Sequence, residues 1–425
     1  MITLIVFFAL LFCGFPIFGA ILAGAVVFMT SNDLAILYDS IPIQFYGALE
    51  INGLLAIPLF LLVGEIMNKG GLTQRLIALT EVLVGGFRGG LAYANLFTNA
   101  MAASILGSAV AQIGVMSKVM IPEMEKKGYD RAFSGAVTVS AGLLGPIIPP
   151  SMLMIIYGVV AVQPIAPLFI AGIVPGLLIV AGLAVVIFFA GVFGHALPEG
   201  TPTQWRKSVG TLVAGLIPGL IPVVVIAGIM TGAMTPTESG AVASIIAFIL
   251  AFAYREIKFS DLPALLHTVA INTATITGLI AAATVFSWVL AFEGVPDRVV
   301  DLIAGVTDSP LVFLLLVIVM MLVLGMFLES ISVLIVVVPI LMPVVNALGI
   351  DPIHFGVVCT LATVIGLVTP PVGPGLYIAM IQAHVPMGAL FRATLPFLAM
   401  VMLLLVAIAA FPQLSIWLPT MTARG

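Results

Sequence analysis

The sequence reads Gly-Pro-Ile-Ile-Pro-Pro-Ser at residues 145–151 and Gly-Leu-Val-Thr-Pro-Pro-Val-Gly at residues 366–373, and each stretch interrupts a long apolar segment. Proline lacks a backbone N–H, and its ring clashes with the carbonyl group one turn earlier. Two consecutive prolines beside glycine therefore unwind an α-helix. We predict a broken helix around each stretch, over residues 131–158 and 352–380.

These two stretches, called the first break (145–151) and the second break (366–373), have a predictable chemistry. Unwound backbone is tolerated at membrane depth only where it is buried or lines a cavity. Its free carbonyl groups are suitable ligands for a small hard cation, and the half-helices beside it present N–H groups to an anion. The alternative is that glycine and proline only kink these helices or permit close packing.

An internal repeat relates the two breaks. A shift of 221 residues places Pro149-Pro150 on Pro370-Pro371 without a gap. The same shift aligns further pairs of identical residues, namely Pro122 with Pro343, Gly128 with Gly349, Asp130 with Asp351, Gly135 with Gly356 and Gly145 with Gly366. Because proline, glycine and aspartate match together, chance similarity between apolar segments is the weaker explanation. We predict two repeats, residues 1–208 with a linking span and residues 209–425.

The composition places both repeats in a membrane. Of the 425 residues, 62% are hydrophobic and only 8% are charged, whereas soluble domains carry roughly a quarter charged residues. At about 20 apolar residues per spanning helix, the chain could supply on the order of ten spans plus shorter pieces. The sequence therefore predicts an all-α polytopic membrane protein.

Several function classes are excluded by what the sequence lacks. A net charge of −4, with 14 thinly spread Lys and Arg residues, does not provide the basic surface that nucleic acid requires. No Walker-type phosphate loop is present, so any work that the chain does on a substrate is not driven by its own ATP hydrolysis. Cys13 and Cys359 have no second Cys or His at ligand spacing, so neither a disulfide framework nor a zinc site is predicted.

Two apolar segments are longer than one span needs and contain an internal polar break, which predicts helical hairpins over residues 91–125 and 310–345. With the N-terminus in the cytoplasm, 12 of the 14 basic residues become cytoplasmic, and only Arg298 and Arg424 fall outside. This distribution satisfies the positive-inside rule. The hairpins then open to opposite sides, so the repeats are inverted, as in secondary transporters that bind substrate and ions near the membrane midplane.

Each hairpin tip brings hydroxyl groups to the break of its own repeat, which predicts two cation sites. The first cation site comprises Ser104, Gly107, Ser108, Gly145 and Pro149, and the second comprises Gly325, Ser330, Gly366 and Thr369. Substrate is expected between the two sites, in contact with Ser108, Ser151, Glu329 and Gly373.

Acidic side chains inside membranes are costly and are usually functional. Glu329 lies at the second hairpin tip, where it either assists binding or points into water. Glu238 lies in Thr-Pro-Thr-Glu at the start of a span, where a structural role is favoured. Glu65 precedes Asn68 and Lys69 and is interpreted as a helix-end group.

Taken together, the motifs resemble one known family. Ile57–Phe60 followed by Gly64-Glu65, the first break, Thr235–Glu238 and Thr369–Gly373 are similar to the large membrane subunit of tripartite ATP-independent periplasmic (TRAP) transporters. The resemblance covers nearly the whole chain, and it is the spaced combination that is specific.

That resemblance implies sodium-coupled import of an organic anion, such as a C4-dicarboxylate, sialic acid or a sugar acid, across a bacterial inner membrane. Two or more Na⁺ ions would be the coupling ions. The partners implied are a separate small membrane subunit of about four spans and a periplasmic substrate-binding protein. The family mechanism is elevator-like, with the hairpins and broken helices sliding against a scaffold, and arm segments near 70–88 and 295–304 connecting the two.

Three other functions are alternatives to sodium-coupled import with a binding protein. A stand-alone sodium/dicarboxylate symporter of similar architecture would need no binding protein. An intramembrane enzyme would need convergent ionisable groups at one depth, and the sequence does not place its histidines near the polar tips. A channel would need a continuous polar pore, whereas the sparse, paired breaks favour an occluded site.

Overall fold

The computed structural model describes residues 2–193, 197–200 and 205–422, and Arg424 lies outside these ranges. All regular structure within them is helical. The α-helices are α1 (Ile2–Phe12), α2 (Ile17–Ser31), α3 (Ile41–Leu49), α4 (Ala56–Lys69), α5 (Leu72–Val84), α6 (Gly90–Leu106), α7 (Ala109–Lys126), α8 (Arg131–Gly142), α9 (Met152–Val160), α10 (Ile165–Phe193), α11 (Trp205–Met230), α12 (Pro236–Ala253), α13 (Leu262–Phe292), α14 (Val295–Ala304), α15 (Pro310–Gly325), α16 (Ser330–Ala347), α17 (Pro352–Gly366), α18 (Pro374–Ala383), α19 (Met387–Ala410) and α20 (Gln413–Thr422). Short 3₁₀ turns occupy Ala35–Ser40, Asn52–Leu55 and Phe259–Asp261.

Six of the described helices are long and apolar enough to cross a membrane. They are α10, α11, α12, α16, α19 and α13 with the turn before it. Large apolar side chains also remain exposed along α11, including Val213, Leu216 and Leu220, as expected for a surface in contact with lipid or another membrane helix. The prediction of an all-α polytopic membrane protein is therefore confirmed.

The first apolar stretch of the described chain is divided into two helices. Two helices, α1 and α2, pack against each other here. Gly14 between them has φ +77°, and Pro16 is the N-cap of α2. A left-handed glycine followed by proline ends one helix and starts the next, so local backbone chemistry overrides the uninterrupted hydrophobicity.

The breaks separate α8 from α9 and α17 from α18. Two helical pairs precede them: α6 and α7 meet at Gly107–Ser108, the first tip, and α15 and α16 meet at Met326–Glu329, the second tip. The predicted arm segments contain the helices α5 and α14. Local conformations agree at positions related by the 221-residue shift, since Gly128 and Gly349 have φ +88° and +64°. The inverted arrangement of the repeats in the membrane stays a prediction.

The helices pack crosswise between the two halves. Helix α7 packs against α8 of its own half and against α18 of the other, and α16 correspondingly packs against α17 and α9. Helices α4, α5, α11, α12 and α13 form a neighbouring group, in which α4 contacts α12 and α13, and α5 contacts α11. The tips therefore lie between the broken helices and this second group.

Both broken helices begin with an aspartate cap. Asp130 accepts a hydrogen bond from the Phe133 N–H at 2.9 Å, and Asp351 accepts from the N–H groups of Ile353 at 2.8 Å and His354 at 3.2 Å. An N-cap carboxylate satisfies backbone donors that the helix itself cannot. The sequence repeat is thus matched by equivalent capping at equivalent positions.

We expect Asp351→Ala to lower the free energy of unfolding by about 1 kcal/mol, because two backbone N–H groups lose their acceptor. Asp351→Ser should retain most of the stability, since serine also caps helices. Thermal unfolding of the detergent-solubilised chain measures both variants. Equal stability of the alanine variant and the wild type would contradict this role for the cap.

Candidate functional site

Both tips and both breaks meet at one small cavity of about 20 Å³. Its lining residues are Gly107, Ser108, Ala109 and Val110 at the first tip, Pro146, Met152 and Leu153 at the first break and the start of α9, Glu329, Ser330 and Ile331 at the second tip, and Leu367 in the second break. The N-termini of α7, α9 and α16 all reach this point. Helix N-termini present N–H groups and a positive partial charge, which favour an anion.

At the first tip, the chain turns through Gly107, whose φ is +61°. A Cβ atom on Gly107 would lie 3.3 Å from the backbone nitrogen of Met152, so the tip is in direct contact with the end of its own break. Ser108 is the N-cap of α7, but the Ala111 N–H donates to its hydroxyl over a long 3.5 Å. Such a weak cap leaves the Ser108 oxygen able to bind another partner.

The predicted residues of the first break and Ser104 in α6 have different surroundings. Gly145 and Pro149 are buried. The Ser151 hydroxyl is completely buried, donates to the carbonyl of Pro146 and accepts from the Met154 N–H at 3.2 Å. The Ser151 hydroxyl therefore links the two ends of the break by hydrogen bonds, and its contact with substrate stays a prediction. Ser104 lines an apolar groove of about 530 Å³ between α5, α6, α10 and α11.

The second tip and second break are in very close contact. A Cβ atom on Gly325 would lie 2.5 Å from the carbonyl oxygen of Thr363, and one on Gly366 would lie 2.7 Å from the Cα atom of Gly325. The N–H of Gly373 donates to the carbonyl of Met326 at 3.2 Å. Backbone therefore packs on backbone here, which only glycine permits.

Two hydroxyl groups of the second cation site are oriented differently. Thr369 donates to the carbonyl of Ile365 at 2.9 Å, so its oxygen lone pairs remain available. The Ser330 hydroxyl is buried and has no hydrogen-bond partner within the described part of the chain. An unpartnered buried hydroxyl costs about 1–3 kcal/mol. A bound cation or water would remove that cost.

A larger cavity of about 330 Å³ adjoins the tips. It lies between the tips and helices α4 and α13, and its polar lining comprises Glu65, Asn68, Ser108, Asn272, Thr275 and Glu329. No Lys or Arg of the described ranges lines it. Sequence reasoning missed Asn272 and Thr275, although polar residues in the otherwise apolar α13 were a readable signal.

The three acidic residues have different surroundings, although Glu65 and Glu329 line the same cavity. Glu238 accepts from the backbone N–H of Thr235 at 2.8 Å, and the Glu238 N–H donates to the Thr235 hydroxyl at 3.2 Å. This reciprocal pair is a capping box, so the structural interpretation of Glu238 is supported. Glu65 forms an ion pair with Lys69 at 3.0 Å at the helix end and also lines the larger cavity. Glu329 lines both cavities.

Comparison with known families decides the identity of this arrangement. Residues 4–414 match the family described as "Tripartite ATP-independent periplasmic transporter, DctM component". The chain belongs to the DctM family. The predicted resemblance to TRAP large membrane subunits is confirmed.

Relatives of the DctM family agree in length with this chain. It is 35% identical over 413 residues to the sialic acid TRAP transporter large permease protein SiaM of Vibrio cholerae, covering 96% of each chain. It is also 35% identical over 382 residues to the C4-dicarboxylate TRAP transporter large permease protein DctM of Pseudomonas aeruginosa, covering 89% of each. Membership identifies a large permease subunit of a TRAP transporter, located as a multi-pass protein in the inner membrane. It is a transport protein and not an enzyme.

A solved transporter structure has a fold similar to that of this chain. The YdaH transporter of Alcanivorax borkumensis superimposes with a TM-score of 0.64 over 90% of this chain and 89% of that chain. The two sequences are only 14% identical, so the similarity concerns the fold alone. The two chains therefore share an overall fold.

Proposed function

We propose that this DctM-family chain performs sodium-coupled import of an organic anion across the bacterial inner membrane. The observation that carries the proposal is the convergence of both tips, both breaks and three helix N-termini on one small cavity. Interrupted helices that meet near the middle of a membrane protein are the binding architecture of secondary transporters.

The two cation sites are proposed where each tip touches its own break. Gly107 contacts the end of the first break, and Gly325 contacts Gly366 before the second. The unpartnered Ser330 hydroxyl and the available lone pairs of Thr369 add oxygen donors to the second cation site. Hard cations prefer oxygen ligands, and unwound backbone at half-helix ends supplies them in secondary transporters.

Substrate is proposed to occupy the larger cavity and reach the small one with its carboxylate. Because no basic side chain of the described ranges lines the larger cavity, that carboxylate would be met by helix N–H groups, the Ser108 hydroxyl and bound sodium. Glu329 can accept hydrogen bonds from hydroxyl or ammonium groups of the same molecule. Asn272 and Thr275 can both donate and accept. This lining favours an organic anion with several polar substituents, such as a sialic acid or sugar acid.

Access is proposed to alternate by an elevator movement. The larger cavity lies at the Lys69 end of α4, which the positive-inside rule assigns to the cytoplasm. The cavity separates the tips from α4 and α13, so sliding between these two bodies would close it on one side and open it on the other. The arms α5 and α14 would connect the bodies.

Two partners are proposed, as the family name indicates. A small membrane subunit would cover exposed apolar helix surface such as that of α11. A periplasmic binding protein would deliver substrate to the outer face.

The test is uptake into proteoliposomes that contain this chain and the product of a neighbouring small-subunit gene. Uptake of a panel of organic acids is measured with and without a sodium gradient and with and without the cognate binding protein. We expect uptake only when the sodium gradient and the binding protein are both present. Sodium-driven uptake without the binding protein would support the stand-alone symporter instead, and uptake indifferent to sodium would contradict the proposal.

A further inference from the structure

A chain of buried amide groups runs from the broken helix α8 through the first hairpin. Thr138 donates to the carbonyl of Ser134 at 2.8 Å, and Asn95 Nδ2 donates to Thr138 Oγ1 at 2.7 Å. Asn99 Nδ2 donates to Asn95 Oδ1 at 2.8 Å, and Gln112 Nε2 donates to Asn99 Oδ1 at 2.9 Å. Thr138 and the three amide side chains are completely buried. Sequence reasoning did not select any of them.

The direction of this chain is determined by backbone carbonyl groups, which only accept. Thr138 must donate because its partner is the carbonyl of Ser134. The Nδ2 end of Asn99 is fixed by its second bond to the carbonyl of Asn95 at 2.9 Å, and the Nε2 end of Gln112 by the carbonyl of Asn99 at 2.8 Å. Every donor therefore points away from Gln112, and Gln112 Oε1 is the free acceptor end.

That free end lies at the first break. Gln112 Oε1 is buried without a hydrogen-bond partner among the described residues. A Cβ atom on Gly145 would lie 2.6 Å from it, so the oxygen lies against the unwound backbone. Successive hydrogen bonds polarise one another in a low dielectric, which increases the negative partial charge on the free carbonyl. Such a carbonyl oxygen is a suitable ligand for a hard cation.

The second half has no such chain. The 221-residue shift places Leu316, Met320, Val333 and Cys359 at the positions of Asn95, Asn99, Gln112 and Thr138. The two proposed cation sites therefore differ chemically, although their breaks share a glycine and the double proline.

We propose that Gln112 Oε1 is an additional sodium ligand of the first cation site, oriented by Asn99 and Asn95. This inference rests on the proposed sodium coupling and deepens it, because it makes the first cation site the one with the extra, preoriented oxygen. Residues that orient ligands typically contribute 10–100-fold to metal affinity. The first cation site should accordingly lose sodium affinity when either Gln112 or the Asn99 side chain that orients it is removed.

The experiment measures sodium-dependent thermal stabilisation of the purified full chain in detergent, with potassium replacing sodium at constant ionic strength. In Gln112→Leu the half-saturating sodium concentration of one binding step should rise at least ten-fold. Asn99→Leu should produce a smaller rise. Gln112→Met keeps the length of the side chain but lacks the amide oxygen, so it should produce the same rise as Gln112→Leu. Val333→Leu, at the equivalent position of the other half, is the matched control and should keep the wild-type sodium midpoint.

The midpoint of sodium stabilisation separates binding from folding, since a merely structural role would shift stability in potassium without moving that midpoint. An unchanged midpoint in Gln112→Leu, with a clear response in the wild type, would overturn this inference and leave the proposed function standing. A wild-type chain that does not respond to sodium would overturn both. If Gln112→Leu does not fold, an unchanged midpoint in Gln112→Met would also overturn it.

Discussion

Gly325→Ala and Gly366→Ala are each expected to reduce uptake more than ten-fold and to destabilise the chain. The added methyl group would lie 2.5 Å from the Thr363 carbonyl in the first variant and 2.7 Å from the Cα atom of Gly325 in the second. Backbone atoms cannot move aside as a flexible side chain can, so α15 and α17 must separate. Overpacking of this kind costs about 1–3 kcal/mol or more. Thermal unfolding and reconstituted uptake measure the two effects.

Gly388→Ala is the matched control for both variants. Gly388 is an exposed residue in the first turn of α19, and a Cβ atom there would meet no atom within 4 Å. Alanine in a helix should leave stability unchanged or slightly higher. Because Gly325 and Gly366 share one contact, the double variant should be less destabilised than the two single effects added together. Wild-type uptake by either single variant would show that the close approach of these helices is not required.

Ser108→Ala and Thr369→Ala are each expected to raise the sodium concentration for half-maximal uptake at least ten-fold. Each substitution removes one oxygen from a proposed cation site while leaving the surrounding backbone intact. A loss of about 1.4 kcal/mol in binding free energy corresponds to that ten-fold change. Uptake at increasing sodium, at saturating substrate and binding protein, measures the effect. Thr369→Ser should restore sodium dependence because it keeps the hydroxyl.

The control for this pair is Thr394→Ala. Thr394 is completely buried and donates to the carbonyl of Leu390 at 2.9 Å, the same local hydrogen bond that Thr369 makes with Ile365. It lies on α19 and lines neither cavity at the tips. The variant should match the wild type in sodium dependence. An unchanged sodium response in both Ser108→Ala and Thr369→Ala would contradict the two-site assignment.

The membrane class, the breaks and the family could be predicted from the sequence, because each depends on local chemistry. Hydropathy alone determines that a helix partitions into a membrane, and consecutive prolines unwind a helix whatever packs around it. The aspartate caps and left-handed glycines also act within a few residues. The division of the apolar N-terminus into α1 and α2 followed from the same kind of signal, at Gly14 and Pro16.

The tertiary structure decided which side chains reach the site, because that depends on contacts between residues far apart in the sequence. The Ser330 hydroxyl is buried without a partner among the described residues, whereas the Ser151 hydroxyl bonds to its own break and to the first turn of α9. Asn272 and Thr275 enter the larger cavity only because α13 packs beside the tips. Gln112 reaches Gly145 only because the first hairpin folds against its broken helix. Sequence determined the backbone breaks and the membrane environment, and packing determined the oxygen atoms that surround them.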